Sequence, residues 1–309
     1  MGIRNIQHLA LTVPDINSAR DFFTDFGLET IERGDAVVCR CVGRDQDQLV
    51  LIEGHPRRLG YVSFGVGEAE LQEMKKALAG RDDVSFADAP AWSDGEGIWF
   101  TDFEGMLTNL RAADEAPWRT ESAATFNRPG KRERVGRRSE FLSRAAVNPR
   151  RLGHVVLFTT DAARKMDFYT DPLGMRLSDK VANFLNFMYC PTGSDHHVVA
   201  FAESWSWGLQ HAAFEVDSTD EVGIAGDQMK GKGYVAAWGP GRHGPGSNVF
   251  YYIRDPFNWL FEYFADLDYI PEGMEWEAID WAERDDSPHL WGPTESSDFP
   301  TNFETPKPR

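Results

Sequence analysis

A mixed α+β fold of two related halves is predicted for this chain on three observations. The first is length: 309 residues suit about two domains at ~150 residues each. The second is an internal repeat. The third is that each half opens on an alternating apolar strand, continues into a helix and closes on several strands rich in aromatic and β-branched residues.

The repeat holds in register. HLALTVPDINSARDFFTDFGLET, from His8, aligns with HVVLFTTDAARKMDFYTDPLGMRL, from His154. Asp21 and Asp167 follow their histidines at equal distance, and each segment then reaches a glycine before an apolar residue, Gly27-Leu28 and Gly174-Met175. Such a glycine suits the left-handed stop of a helix. GYVSFGV (60–66) aligns with QHAAFEV (210–216), and FTDFEGMLTNL (100–110) with IRDPFNWLFEY (253–263). The chain therefore divides into a first half, 1–115, a connector, 116–147, a second half, 148–270, and an acidic tail, 271–309.

In the second half, His154, Val156 and Phe158 fall on one strand face and Val155 and Leu157 on the other. RKMDFYT has the apolar spacing of a short amphipathic helix. NFLNFMYC, HHVVAF, LQHAAFEV, NVFYYIR and WLFEYF read as strands. DEVGIAGDQMKGKG reads as a helix in spite of its glycines.

Composition narrows the class. A formal charge of −17 repels nucleic acid and anionic lipid. The basic run RPGKRERVGRR (128–138) is the exception, and its Gly, Pro and position between two patterned halves mark it as a solvated connector. No stretch approaches the ~18 apolar residues of a membrane span, and the N-terminus lacks the features of a signal peptide. Three cysteines, Cys39, Cys41 and Cys190, make no disulfide framework. A cytoplasmic protein without nucleic-acid or membrane partners is expected.

The chemistry points to Glu262, which lies between Phe261 and Tyr263 inside a strand. A carboxylate there is costly to desolvate unless a cation meets it. His154, His211 and Glu262 all fall at inward-facing strand positions. The matching positions of the first half hold His8, Tyr61 and Asn109, so only the second half carries two imidazoles and a carboxylate. Such a set, with positions left open, suits non-haem Fe(II) and oxygen chemistry. Taken singly, a strand histidine is more often a hydrogen-bonded core residue, and His8 reads as a remnant of the repeat.

With GHVVLFTTD, DHHVVAF, LQHAAFEV, GPGRHGPGSNVFYYIRDP and FEYFADLDYI, these residues make the chain resemble the type I extradiol ring-cleaving dioxygenases of the vicinal oxygen chelate superfamily. The likeness runs from residue 1 to about 270 and is sharpest over 150–270; LWGP (290–293) and Asp298-Phe299 also resemble endings of that family. It implies two tandem vicinal-oxygen-chelate domains, each of paired βαβββ modules forming an open barrel-like sheet, the first of them metal-free. It implies Fe(II), less often Mn(II), on His154, His211 and Glu262. His197 matches the second His of the family's HH pair and takes acid–base work. His243 and Tyr252 hydrogen-bond the substrate oxygens. The substrates implied are a catechol-type aromatic diol and O2, the product a muconic semialdehyde-type compound, and the state a homo-oligomer.

Two departures from the family pattern matter. Asn258 stands two residues after Pro256, where Gly is usual, and Asn accepts the left-handed conformation better than most residues. Tyr251 precedes Tyr252 where an aliphatic residue or Phe is usual, which leaves open which tyrosine faces the site. Alternation lets only one of His196 and His197 face it; the family register selects His197, and a solvent-facing edge is the plainer alternative. Phe184, Phe187, Tyr189, Trp205, Trp207 and Trp259 are candidates for the walls of a ring-shaped pocket, with core packing the plainer fate of most. Three rival readings remain on this scaffold: hydroquinone cleavage, a glyoxalase-like lyase or isomerase, and a metal-free binding protein. Tyr61 and Asn109 count against the second, which calls for ligands from both halves.

Overall fold

The acids that follow the opening strand of each half are helix caps. Asp15 accepts from the Asn17 and Ser18 amides (2.9 and 3.0 Å), and Asp161 from the Arg164 amide (2.9 Å). They satisfy donors that a helix start leaves unpaired. The helices Ile16–Asp25 and Ala162–Thr170 follow, and both turn out through left-handed glycines, Gly27 (φ 98°) and Gly174 (φ 74°). A computed structural model describes residues 2–117, 124–143, 146–284 and 289–308.

Each half contains two βαβββ modules. In the second half, one runs through Arg151–Thr159, the helix Ala162–Thr170, Arg176–Val181, Leu185–Tyr189 and Val199–Glu203. The other runs through Gly208–Glu215, the helix Thr219–Gly231, Val235–His243, Val249–Arg254 and Leu260–Ala265. The opening strands of the two modules pair antiparallel at the centre, and each module's closing strand lies parallel beside its own opening strand. The first half repeats this plan around Ile3–Val13 and Arg58–Val66. Among the described residues the modules form an eight-stranded open sheet in the first half and, with two short strands of the tail, a ten-stranded one in the second, the α+β architecture expected from the sequence.

The helices pack across the boundary between halves. Phe22, Phe23 and Phe26 of the first half meet Phe214, Phe261 and Tyr263 of the second; Phe26 stacks on Tyr263 with ring centroids 3.9 Å apart. Phe168 and Tyr169 reach back to Phe100 and Phe64. Each such ring contributes about 1.5–3 kcal/mol through burial. Lys165, with no exposed surface, joins the halves by ion pairs to Asp102 and Glu104. Because this shared core claims one face of the second sheet (Val155, Leu157, Phe214, Tyr251, Ile253, Phe261, Tyr263), the other face is left to the site.

Some details differ from the sequence reading. The strand expected at HHVVAF begins only at Val199, because His196 and His197 sit in irregular backbone ahead of it. The glycines of the helix Thr219–Gly231 have a packing reason at Gly226, where a Cβ would lie 1.9 Å from the Tyr251 ring. The acidic tail is woven into the second half: Ile279–Asp280 pairs with Arg176–Val181, and His289–Trp291 with Val235–His243. Glu304 is buried and accepts from the amides of Leu59 (3.0 Å) and Leu209 (2.9 Å), one in each half, and from Trp259 Nε1 (3.0 Å). The basic run 128–138 lies largely exposed.

Candidate metal centre

Three neighbouring strands supply one side chain each. His154 stands opposite Ala213, and Ala213 opposite Glu262; His211 is two residues before Ala213 on the same face. The small Ala213 side chain between them leaves room for the longer groups to converge. Nε2 of His154 and Nε2 of His211 each lie 3.3 Å from Glu262 Oε2. One potential ligand atom from each residue lies within 4.8 Å of the others. The three are 1%, 6% and 0% exposed.

These approaches are not aligned as hydrogen bonds: among the described residues, His211 Nε2 and Glu262 Oε2 have no hydrogen-bond partner. Buried polar atoms are normally satisfied. Lone pairs that converge in a buried place without donors between them match the needs of a cation, and two nitrogens with one carboxylate oxygen fit Fe(II) or Mn(II). Burial alone pushes the Glu262 carboxyl up, and the two imidazoles more than offset it, holding it well below the usual carboxylate range. Burial lowers His211.

A second ring of groups orients the first. Asn248 Nδ2 donates to Glu262 Oε1 (3.0 Å), and Gln210 Oε1 bonds His211 Nδ1. Sequence reasoning missed both. Asn248 lies in a glycine-rich segment without periodicity, and alternation assigns Gln210 to the opposite face.

His197 lies against His154 with ring centroids 4.2 Å apart and lines the cavity; His196 does not line it. Both are buried, so the solvent-facing edge is ruled out. His197 Nδ1 bonds His196 Nδ1 (3.1 Å), which leaves its Nε2 for the cavity. His196 Nε2 lies 3.1 Å from Asp179 Oδ2, the oxygen that accepts from Trp281 Nε1 (2.6 Å). Burial, then the neighbouring histidines, pushes His197 well below the usual imidazole range. On the far side, His243 Nε2 bonds the Tyr252 hydroxyl (2.9 Å) and stacks on Phe250 (3.9 Å). Tyr252 stands opposite Glu262, and its ring lies 5.1 Å from that of His211. Tyr251 turns the other way into the core, which settles the choice between the two tyrosines. Burial, then the Glu262 charge, raises Tyr252 well above the usual phenol range. Asn258 takes the left-handed conformation (φ 69°), as Gly105 does at the matching turn of the first half (φ 80°).

The cavity above these groups holds about 450 Å³ and has mostly apolar walls, among them Val156, Phe158, Leu185 and Trp238. Of the six aromatic wall candidates, Phe184 and Phe187 line it. Tyr189 and Trp259 are buried elsewhere, and Trp205 and Trp207 lie outside the lining, Trp205 with its Nε1 bonded to the Thr305 carbonyl (3.1 Å).

The chain matches the Glyoxalase/Bleomycin resistance protein/Dioxygenase superfamily over residues 5–105 and 151–263, once in each half. It is 37% identical over 309 residues to "Metapyrocatechase 2" of Cupriavidus necator, which covers 98% of this chain and 93% of the relative. It is 24% identical over 298 residues to a "Manganese-dependent 2,3-dihydroxybiphenyl 1,2-dioxygenase" of Geobacillus genomosp. 3, covering 92% and 91%. Among solved structures, a Mn(II)-bound glyoxalase from Novosphingobium aromaticivorans superposes with a TM-score of 0.76 at 22% identity, over 100% of this chain and 95% of that one, a likeness of fold. A match in both halves, and a relative this similar along nearly the whole length, make the chain a member of the Glyoxalase/Bleomycin resistance protein/Dioxygenase superfamily, of the extradiol dioxygenase type.

Proposed function

We propose that this protein opens the ring of a catechol-type diol beside its two hydroxyls, with O2, at one divalent ion held by His154, His211 and Glu262. Fe(II) is the ion proposed, with Mn(II) the alternative. The observation that carries this reading is the convergence of two imidazoles on a buried carboxylate, with both imidazoles lining an apolar cavity. When bound, the ion supplies Lewis acidity and the redox chemistry that O2 requires.

The chain's own groups do the rest. The apolar walls take the aromatic ring and exclude water, which strengthens every polar interaction at the floor. Tyr252 and His243, already bonded to each other, present a hydroxyl and an imidazole to the diol oxygens and fix which of them gives up its proton. His197 enters neutral, because burial disfavours its charge; it accepts a proton at Nε2 and later returns it. Asn248 holds the second oxygen of Glu262, so the carboxylate presents Oε2 alone.

The test is anaerobic loading of metal-stripped protein with Fe(II) or Mn(II), then O2 uptake with substituted catechols, hydroquinones and trihydroxybenzenes. Stoichiometric O2 consumption with a catechol and a ring-opened product is expected. Uptake with hydroquinones alone, or turnover of any substrate without O2, overturns the proposal.

A further inference from the structure

Neighbouring residues of a strand point to opposite faces, yet the side chains of Gln210 and His211 touch. The cause is a β-bulge. Against the strand Arg151–Thr159, pairing steps from Leu209 opposite Leu157 directly to His211 opposite Val156, so Gln210 has no partner of its own. A bulge re-aims a side chain, and this one brings Gln210 onto the His211 side.

There Gln210 is buried, 7% exposed, and its amide is engaged at both ends. Its Nε2 donates to the main-chain carbonyl of Phe299 (3.0 Å). A carbonyl only accepts, so the amide nitrogen faces Phe299 and the amide oxygen faces His211. The oxygen in turn can only accept, so His211 carries its proton on Nδ1 and turns the lone pair of Nε2 toward Glu262. The Phe299 ring packs on Trp238 (4.9 Å) and Tyr252 (5.0 Å), two walls of the cavity. One amide thus joins His211 to the C-terminal segment.

The first half is a control within the same chain. Its pairing steps from Ala10 opposite Tyr61 to Leu11 opposite Leu59, so the bulged residue is Gly60. A Cβ at Gly60 would meet Trp92 at 3.1 Å. Both halves have the bulge; only the half with the ligand set puts a side chain on it.

We propose that Gln210 is a positioning residue for metal binding: it fixes the His211 tautomer and ties it to the segment at Phe299, so retention of the ion depends on the docked C-terminus. The proposal rests on the reading of His154, His211 and Glu262 as ligands. Second-sphere partners of metal-bound histidines are typically worth 10–100-fold in affinity.

The test uses the full-length, metal-stripped protein and Mn(II) alone, with free Mn(II) followed by electron spin resonance and the thermal midpoint of the metal-free form as a folding control. Gln210→Met, similar in length but with neither amide group, should raise the Mn(II) Kd about 10–100-fold at little change in the metal-free midpoint. Gln210→Glu keeps the acceptor for His211 Nδ1 but loses the donor to Phe299, so it should recover part of that loss, whereas general damage to the strand would weaken both variants alike. Phe299→Ala, which loosens the segment without touching the amide, should give a smaller rise. Unchanged affinity in Gln210→Met, or no recovery in Gln210→Glu, overturns the positioning role. An unchanged Kd in Phe299→Ala overturns the tie to the C-terminus. Failure of the wild type to bind Mn(II) or Fe(II) sinks the ligand assignment itself.

Discussion

The two halves present the same sheet face with opposite results. In the first, His8 Nε2 bonds the Tyr61 hydroxyl (3.0 Å), and Tyr61 is stacked on Trp92 (5.5 Å) and edge-on to Trp99 (4.7 Å). Ser63 Oγ donates to Asn109 Oδ1 (2.7 Å), and Asn109 Nδ2 to the Glu96 carbonyl (3.0 Å). Arg111, paired with Asp94 and Glu96, lies beside this cluster. Every polar group named has a partner, and indole rings occupy the space. In the second half Ala213 replaces Ser63, lone pairs face one another, and a cavity stands open. A ligand set therefore needs unsatisfied convergence and free volume as well as residues in the right places.

The sharpest way to break the comparison is to remove one carboxylate. Glu262→Ala should abolish tight binding of the ion and turnover, a loss beyond the ~100-fold that a second-sphere partner is worth. Asn109→Ala, at the matching position, should leave both unchanged. Metal content and O2 uptake check the pair, and equal effects at the two sites would end the distinction.

Next in size is His197→Phe. It should keep the ion and lose about 10²–10⁴ in kcat, the range of a positioned acid–base group. Metal analysis beside steady-state rates separates this outcome from loss of the ion.

A smaller effect concerns stability. Burial, then the nearby Arg111 charge, lowers the His8 pKa from 6.5 to about 4, with Asp94 and Asp47 opposing. Between those values the unfolded chain holds a proton that the folded chain refuses. The His8 contribution is therefore complete above pH 6.5 and is lost as pH falls toward 4, at up to about 1.4 kcal/mol per pH unit. His8→Phe should make urea-unfolding stability fall less steeply across that window. It should cost about 1–3 kcal/mol at pH 7.5, since the Tyr61 hydroxyl loses its partner, and leave turnover intact.

The smallest change is expected when Tyr61→His and Asn109→Glu are combined to copy the ligand types into the first half. Metal stoichiometry should stay at one ion per chain, because Trp92 and Trp99 still fill the face. Two ions would show that residue type alone makes the difference.

Much of this was legible in the sequence. The repeat aligns His154, His211 and Glu262 with His8, Tyr61 and Asn109 of the first half, and the tolerance of Asn for the left-handed conformation agrees with the φ of 69° at Asn258. Less legible were groups whose direction depends on irregular backbone. His196 and His197 precede their strand, so alternation could not decide between them, although family register selected the one that lines the cavity. Gln210 faces the site because of a bulge, and Asn248 by its place in a loop.

Sequence by itself determined the division into two related halves, the faces of the strands and the residue types available on each, because side-chain alternation and helix capping are local and leave a period in the chain. Tertiary structure alone decided that one half is filled by tryptophans and the other left open, that Tyr252 rather than Tyr251 meets the site, and that the tail closes onto His211 through one amide. Those outcomes depend on strand order, bulges and loop closure, which bring distant residues together without leaving any periodic mark.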